Sequence, residues 1–257
     1  MPVKDVIVRR LRPTDDPEQA FCCMDGVPTP WPEALCTCRR WLAENLGRHV
    51  EGYHSVLADG TAVGHLYYAP AERALIPYQV EPGVVVLYCE WVQQRYQGAG
   101  LGRRQFSIFL DAMRQSGAKG ILVEWRRPGA AGGSEPYPRR GFKSLLRRED
   151  AELYYLPITQ QEIRVTVQPP RLRPWRGRPV EIQVLAGYRC PVDVATLLLL
   201  RQVAQEFRDQ VVLRELVLSP QTLSEFGSVA GILINGRRTL FGGETEESIR
   251  QAILEAF

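Results

Sequence analysis

The clearest pattern in the chain is a buried strand that runs through a polar turn into an amphipathic helix. Residues Val84 to Val92 form a nearly continuous apolar run, and the turn from Gln93 to Gly102 is polar and rich in glycine. In the next segment, apolar residues recur at the helical spacing i, i+3, i+4 and i+7, as Phe106, Phe109, Leu110 and Met113. The pattern predicts a central strand, a close turn and a helix with one buried face.

The turn carries glycine at three alternate positions, Gly98, Gly100 and Gly102. Glycine lets the backbone approach a ligand closely, and the first turn of a helix has N–H groups without intrahelical partners. Together with the helix dipole, these groups favour an anion such as a pyrophosphate. The spacing is not that of a P-loop, because Arg103 follows Gly102 where lysine is required. It is also not the GxGxxG of a dinucleotide-binding turn.

The flanking segments predict further strands and helices on both sides of this unit. The predicted elements are a strand at Asp5–Leu11, helical material within Pro17–Gly47, strands at Gly52–Leu57 and Ala62–Ala69, and later strands at Gly120–Trp125 and Ala151–Pro157. The turn Ala58-Asp-Gly60 joins the second and third strands as a hairpin. This order predicts an α/β protein built on a mixed sheet.

Composition sets the class of protein. The 257 residues are 45% hydrophobic and 24% charged, which is ordinary for a globular protein with one large domain or two modest ones. A net charge of +3 does not indicate nucleic acid as the main partner, and no apolar run approaches the roughly 20 residues of a membrane span. The first residues lack the apolar core of a signal peptide. We therefore expect a cytoplasmic protein whose six cysteines are thiols; its oligomeric state stays open.

The glycine turn resembles a known cofactor signature. Arg95-x-x-Gly98-x-Gly100, with Val92 before it and Gly102 after it, is similar to the acetyl-CoA motif of the GCN5-related N-acetyltransferases, the GNAT superfamily. Tyr137-Pro-Arg-Arg-Gly-Phe142 matches the superfamily's Tyr, three variable residues, Gly, Phe, and the order of elements agrees. Across residues 1–157 the resemblance implies a GNAT fold and direct acetyl transfer from acetyl-CoA to a small amine or a protein amino group.

The resemblance also implies roles for particular residues. The pantetheine would lie between Val84–Val92 and Gly120–Trp125, two strands that splay apart around it. Acetyl-CoA would contact backbone and side chains of Trp91, Val92, Arg95, Gln97, Gly98, Ala99, Gly100, Leu101, Gly102 and Arg103.

Acetyl transfer needs a base for the ammonium and an acid for the departing thiolate. Tyr137 falls at the position of the general acid in many superfamily members, and the alternative is that its ring only packs against the helix. Two carboxylates are candidates for the base. Glu124 lies in a strand similar to the one that carries the base in ribosomal-protein alanine acetyltransferases, and Glu90 lies in the apolar central strand, where an unpaired acid is costly to bury. Either carboxylate could instead be structural, and water or the substrate alone could then remove the proton, so the choice of base stays open.

A closer likeness is to the YoaP-like acetyltransferases, carried by Phe21-Cys-Cys23, Tyr88-Cys-Glu-Trp-Val92 and the presence of a tail domain. Residues 158–178 are rich in proline and arginine and predict a connecting arm. Residues 179–257 then give the order βαβ-α-ββα, with Cys190 at the start of the first helix.

This order resembles a thioredoxin-like domain, which uses a Cys-x-x-Cys pair for its redox cycle. Here Cys190-Pro-Val-Asp193 has a single thiol, and the usual proline before the hairpin is missing from Ser228-Val-Ala-Gly231. Dithiol catalysis is therefore not expected. Cys190 is a candidate reactive thiol, because a helix N-terminus stabilises a thiolate, and the alternative is a purely structural role.

A second class of function remains open, a non-catalytic acyl-CoA-binding protein or a thiol- or metal-responsive regulator. Clustered thiols and an occluded pocket would favour it, whereas a carboxylate and tyrosine facing the thioester would favour the enzyme. The CC…CxC set of Cys22, Cys23, Cys36 and Cys38 lacks zinc spacing. Buried thiols are predicted there and at Cys89, and no metal site is predicted.

Overall fold

Strands and helices alternate along the chain, which confirms the predicted mixed α/β class. The computed structural model describes residues 5–24, 31–126, 137–147, 151–161, 163–167, 177–226, 232–240 and 243–257. The elements are β1 (Ile7–Arg10), α1 (Trp31–Asn45), β2 (Glu51–Val56), β3 (Ala62–Pro70), β4 (Tyr78–Val80), β5 (Val84–Val92), α2 (Leu101–Gln115), β6 (Gly120–Arg126), β7 (Lys143–Arg147), β8 (Ala151–Pro157), β9 (Val165–Val167), β10 (Val180–Ala186), α3 (Pro191–Glu206), β11 (Val211–Val217), α4 (Pro220–Phe226), β12 (Ile232–Ile234), β13 (Arg237–Leu240) and α5 (Glu246–Leu254). None of the described helices has the length and apolar character needed to cross a membrane.

The chain forms two compact units that are not continuous in sequence. The first takes its described residues from Met1–Cys23, Asn45–Ala74 and Val80–Val165, and the second from Met24–Glu44, Leu75–Gln79 and Thr166–Phe257. The sequence places α1 within 1–157, whereas the structure groups nearly all of it with the carboxy-terminal residues. The reason is a small apolar cluster in which Trp41 of α1 packs with Leu75, Leu218 and Leu223.

The first unit is built on a seven-stranded sheet in the order β1-β2-β3-β5-β6-β8-β7. Its neighbouring strands are antiparallel except for β5 and β6, which are parallel. A parallel pair needs a crossover connection, and α2 supplies it. The predicted apolar face of α2 is confirmed, because Phe106, Phe109 and Met113 are buried and Leu110 is partly buried against the same core.

The parallel pairing of β5 and β6 ends before either strand does. The register runs from Val84 opposite Gly120 to Leu87 opposite Val123, yet β5 continues to Val92 and β6 to Arg126. The two central strands therefore separate, and a gap opens between them.

A β-bulge on β5 lies where the gap begins. On β3, Tyr68 pairs with Leu87 and Tyr67 pairs with Cys89, which leaves Tyr88 as the extra residue. Leu66, next but one to Tyr68 on β3, pairs with Glu90. Leu66 and Tyr68 both belong to the core packed beneath α2. The bulge therefore turns Glu90 towards the α2 face of the sheet.

The second unit has a four-stranded sheet in the order β11-β10-β12-β13, in which β10 and β11 are parallel and the other pairs are antiparallel. The order β10-α3-β11-α4-β12-β13-α5 is the one predicted from sequence. The hairpin turn at Asn235-Gly236 is also confirmed, with φ of 51° and 74°. Most of β4 and β9 belongs to this unit, where the two strands pair. Residues 168–176 of the predicted arm and 228–231 lie outside the described residues.

Replacing Phe109 with alanine should lower the free energy of unfolding by about 3–5 kcal/mol, because the fully buried ring leaves a cavity beneath α2. A urea titration followed by circular dichroism measures the loss. Ser107→Ala, at an exposed position of the same helix, is the matched control and should change stability by less than about 0.5 kcal/mol. Equal effects of the two substitutions would contradict the packing described here.

Candidate functional site

An open cleft of about 510 Å³ lies where β5 leaves β6 and α2 begins. It belongs wholly to the first unit. Three segments form it: the end of β5, the glycine turn with the first residues of α2, and the short 3-10 helix Pro138–Arg140 with the tyrosine before it. The lining residues are Glu90, Trp91, Val92, Tyr96, Gln97, Gly98, Gly100, Leu101, Gly102, Arg103, Tyr137 and Arg140.

Most positions predicted to contact acetyl-CoA meet in this cleft. Those that line it are Trp91, Val92, Gln97, Gly98, Gly100, Leu101, Gly102 and Arg103. Arg95 and Ala99 are not among the lining residues. The Arg95 guanidinium donates from Nε and Nη2 to Oε1 of Gln93, at 3.2 and 3.1 Å, and lies 5.1 Å from the centre of the Tyr96 ring. In this conformation Arg95 stabilises the turn.

The backbone of the turn depends on glycine at two points. Gly98 and Gly100 have φ of 76° and 84°, in the left-handed region that side chains disfavour. No atom lies within 4 Å of a Cβ placed on either residue, so both face open space. Gly100 is the N-cap of α2 and brings no capping side chain. The N–H groups of the first turn of α2 therefore lack intrahelical partners beside the cleft.

The turn is fastened to the strand before it. The Gln97 side chain donates from Nε2 to the carbonyl oxygen of Val92 at 2.8 Å. Tyr96, which sequence analysis did not single out, packs with Val92 and Leu101 in a small apolar cluster. The apolar contact holds the end of β5 and the start of α2 together, so the cleft between them is preformed.

The floor of the cleft carries an ion pair. The Arg140 guanidinium donates to Oε2 of Glu90 and lies over the Phe106 ring, 4.8 Å from its centre. Oε1 of Glu90 is buried, and it has no hydrogen-bond partner among the described residues. A Cβ placed on Gly102 would lie 3.8 Å from this oxygen. The second carboxylate oxygen is thus directed to the first turn of α2.

Burial raises the pKa of Glu90 above its ordinary value, and the hydrogen bond and charge of Arg140 act in the opposite direction. The carboxyl therefore holds a proton more strongly than an exposed glutamate does. A carboxylate with a raised pKa is a stronger base at neutral pH.

Tyr137 stands on the other side of the cleft. Its ring packs edge-on against Phe142, with centroids 5.3 Å apart, and against Tyr154 at 6.0 Å. Gly141, with φ of 88°, turns the chain so that Phe142 enters the core. Burial raises the pKa of Tyr137, and the charges of Glu90 and Cys89 raise it further. The phenol stays protonated at neutral pH and can donate a proton.

The two candidate bases occupy different places. Glu90 lines the cleft with Tyr137. Glu124 is half-buried on β6, opposite Leu153 of β8, and does not line the cleft. Arg140 was missed by sequence analysis. The signal for it is the acid within an apolar strand, which needs a cation, together with the arginines that follow Tyr137.

All six cysteines are thiols, as predicted. Cys190 is half-buried and immediately precedes α3, with its carbonyl oxygen accepting from the N–H of Val194 at 3.1 Å. Cys22 and Cys38 are buried as predicted, Cys23 and Cys89 are only half-buried, and the prediction is wrong for Cys36, which is exposed. The reason is helical geometry: Cys36 lies two residues from Cys38, on another face of α1. Within the described ranges, no group of three or more His, Cys, Asp or Glu side chains could hold a metal ion.

No protein-family profile matches this sequence, and no curated protein matches it. Solved structures that it is similar to include a putative GNAT-family acetyltransferase from Desulfovibrio desulfuricans, with 20% identity over 60% of this chain and 99% of that one and a TM-score of 0.47. A GNAT-family acetyltransferase from Brucella melitensis in complex with acetyl-CoA has 18% identity over 61% of this chain and 90% of that one, with a TM-score of 0.41. The ribosomal-protein-S18-alanine N-acetyltransferase from Escherichia coli has 20% identity over 61% of this chain and 96% of that one, with a TM-score of 0.43. Likenesses at this level do not assign the chain to a family.

The raised pKa of Glu90 predicts a pH dependence of stability. Protonation of Glu90 favours the folded state. This contribution to the free energy of unfolding is fully present below 4.5, the ordinary pKa of a glutamate, and it is lost as pH rises through the raised pKa of the folded state. Relative to Glu90→Gln, the native protein should therefore lose stability as pH rises from about 4. Urea unfolding of both proteins across this range measures the difference. When both proteins also carry Arg140→Met, the change in stability with pH should be larger, because Arg140 no longer lowers the pKa of Glu90. A native protein that gains stability relative to Glu90→Gln as pH rises would contradict the prediction.

Proposed function

We propose that this protein is an acetyl-CoA-dependent N-acetyltransferase that passes the acetyl group directly to a small amine or a protein amino group. One observation carries the proposal: the gap between β5 and β6 opens onto the glycine-rich, uncapped N-terminus of α2. The motif resemblance to the GNAT superfamily adds to it. A regulator with an occluded pocket is less well supported, because the cleft is open.

The cleft fits the parts of acetyl-CoA in order. The pyrophosphate suits the N–H groups and positive dipole end of α2, where Gly98 and Gly100 leave space and Arg103 adds a positive charge. Beyond Leu87, β5 is paired with β3 on one edge and no longer with β6 on the other. The backbone groups on that edge, near Trp91, suit the pantetheine amides in the way that a sheet edge accepts an added strand.

Two side chains supply the proton transfers. Glu90 takes the proton from the acceptor ammonium, and the free amine attacks the thioester carbonyl carbon. The carbon–sulfur bond then breaks and Tyr137 gives its proton to the departing thiolate, while the proton that the attacking nitrogen loses returns to the Tyr137 phenolate. Arg140 holds Glu90 in place through the ion pair. We place Glu90 ahead of Glu124 because Glu90 lines the same cleft as Tyr137.

We also propose that residues 179–257 form a thioredoxin-like accessory domain, supported by the element order and sheet order of the second unit. Its single cysteine at the start of α3 does not support dithiol redox catalysis. The YoaP-like subtype and a cytoplasmic location remain predictions from the sequence.

Acetyl-CoA should bind the reduced protein in an isothermal calorimetric titration, and Gly100→Glu should weaken binding by about a hundredfold, roughly 3 kcal/mol. The new carboxylate repels the pyrophosphate and fills the space beside α2. Gly117→Glu is the matched control, because Gly117 also has a positive φ, 75°, with open surroundings, but follows the far end of α2. Failure of the native protein to bind, or equal loss in both variants, would contradict the proposed site.

Substitutions at the three candidate catalytic residues should separate their roles. Tyr137→Phe and Glu90→Gln should each lower kcat by about a hundredfold while acetyl-CoA still binds, because each removes one proton transfer. Glu124→Gln should leave kcat within about twofold, since Glu124 lies outside the cleft. Released CoA is measured with the best acceptor from a panel of polyamines, amino acids and peptide amino termini. A larger loss for Glu124→Gln would move the base to that residue.

A further inference from the structure

A buried glutamine near the start of α2 joins the helix to the sheet of the first unit. Gln105 is 0% exposed. Its Oε1 accepts from the hydroxyl of Ser55 on β2 at 2.6 Å, and its Nε2 donates to the carbonyl oxygen of His65 on β3 at 2.8 Å. One carboxamide therefore ties α2 to two neighbouring strands. These two hydrogen bonds form the Gln105 clamp.

The sheet leaves room for this carboxamide at a glycine. Gly64 of β3 pairs with Ser55 on one side and with Val92, the last residue of β5, on the other. A Cβ on Gly64 would lie 2.9 Å from Oε1 of Gln105, so any larger residue would displace the carboxamide. The clamp therefore needs glycine at this position, and it lies beside the end of β5, where the glycine turn begins.

The clamp supplies direction more than stability. Glutamine is mostly found at exposed positions, and apolar groups of the same shape can replace a buried hydrogen-bonded pair at little net cost. The burial of α2 is already provided by Phe106, Phe109 and Met113. Apolar contacts have no preferred direction, whereas hydrogen bonds depend on distance and angle. The clamp therefore determines how α2 is rotated about its axis and where it lies along that axis.

The orientation of α2 matters because its first turn lies at the cleft. Leu101 and Gln105 are four residues apart and are both buried, so they lie on one face of the helix. Leu101 packs in an apolar cluster with Val92. Neighbouring residues are about 100° apart around a helix axis, so a rotation of α2 redirects the N–H groups of its first turn. The hydrogen bonds of Gln105, one turn further on, oppose that rotation.

We propose that Gln105 is a positioning residue for acetyl-CoA: through its bonds to Ser55 and His65 it aims the first turn of α2 at the pyrophosphate. This inference rests on the proposed function, because it needs the pyrophosphate to bind at that turn. Gln105 takes no part in proton transfer, since its carboxamide is buried and does not line the cleft. Loss of the clamp therefore weakens binding of the coenzyme and leaves the chemical step unchanged.

The test is an isothermal calorimetric titration of the reduced full-length protein with acetyl-CoA. Gln105→Met keeps the length and helix preference of the side chain and removes both hydrogen bonds. We expect its Kd for acetyl-CoA to rise by at least about tenfold. At saturating acetyl-CoA with the best acceptor amine, kcat should stay within about twofold of the native value, because a loss of binding alone raises KM and not the barrier of the bound complex.

Two further variants break the clamp from the side of the sheet. Gly64→Ala places a methyl group against Oε1 of Gln105, and Ser55→Ala removes one donor. Gly64→Ala should raise Kd as much as Gln105→Met does. Ser55→Ala should raise it by only about threefold, because Nε2 keeps its bond to His65. The double variant Ser55→Ala/Gln105→Met should bind acetyl-CoA as tightly as Gln105→Met alone, since both changes act through one carboxamide.

Met113→Ala separates a positioning role from a general loss of stability. Met113 is buried near the opposite end of α2, so its truncation leaves a cavity in the same core without touching the clamp. Urea titrations measure the loss of stability in this variant and in Gln105→Met. Despite its loss, Met113→Ala should bind acetyl-CoA with the native Kd.

The outcomes separate this inference from the proposed function. Native binding of acetyl-CoA with an unchanged Kd in Gln105→Met and Gly64→Ala would overturn the inference and leave the proposed function standing. An equal rise in Kd for Met113→Ala, or a fall in kcat with an unchanged Kd, would also overturn it. If Gln105→Met does not fold, the Kd of Gly64→Ala decides in the same way. No binding by the native protein would overturn the proposed function, and the positioning role with it.

Discussion

The separation of β5 from β6 after Leu87 and Val123 is the constraint on which the site depends. Two strands that part give up ladder hydrogen bonds, and such edges stay open only if each strand is held from its other side. Here β3 pairs with β5 as far as Val92, and β8 pairs with β6 as far as Arg126. Pairing along the outer edge of each strand therefore holds the gap open within the sheet.

The bulge at Tyr88 couples this gap to the electrostatics of the cleft. By turning Glu90 towards α2, it places a carboxylate where burial is costly, and a buried charge needs a partner. Arg140 supplies that partner from the short helix after Tyr137. The ion pair thus connects the central strand to the segment that carries the phenol, and links the two proposed proton-transfer groups mechanically.

Local patterns in the sequence predict much of this arrangement. The spacing of Phe106, Phe109 and Met113 defines the buried face of α2, and the glycine turn predicts the open N-terminus at Gly100. Tyr137 and Gly141 could be placed for the same reason, since a short motif fixes their geometry. The order of strands and helices along the chain is also predicted from the sequence. The pattern of apolar residues that marks a strand or a helix lies within one short segment, so it can be recognised without knowing the fold.

The remaining features depend on contacts between distant segments or on backbone irregularity. Glu90 and Arg140 are 50 residues apart, and so are Ser55 and Gln105, so no local period relates them. The bulge shifts by one residue the alternation of β5 side chains between the two faces of the sheet. A strict period of two in the sequence therefore does not predict which face Glu90 occupies. The grouping of α1 with the second unit likewise depends on Trp41 meeting residues far along the chain.

Because β5 exposes opposite faces at successive residues, its separated segment makes a different polar contact on each face of the sheet. Glu90 faces α2, where Arg140 stabilises it, and Cys89 pairs with the imidazole of His65, which lies on the other face. Both orientations follow from the bulge at Tyr88, which sets the β3–β5 register beyond Leu87. An acyl group in the gap would therefore have the Glu90 carboxylate on the α2 side, where the proposed mechanism brings in the amine.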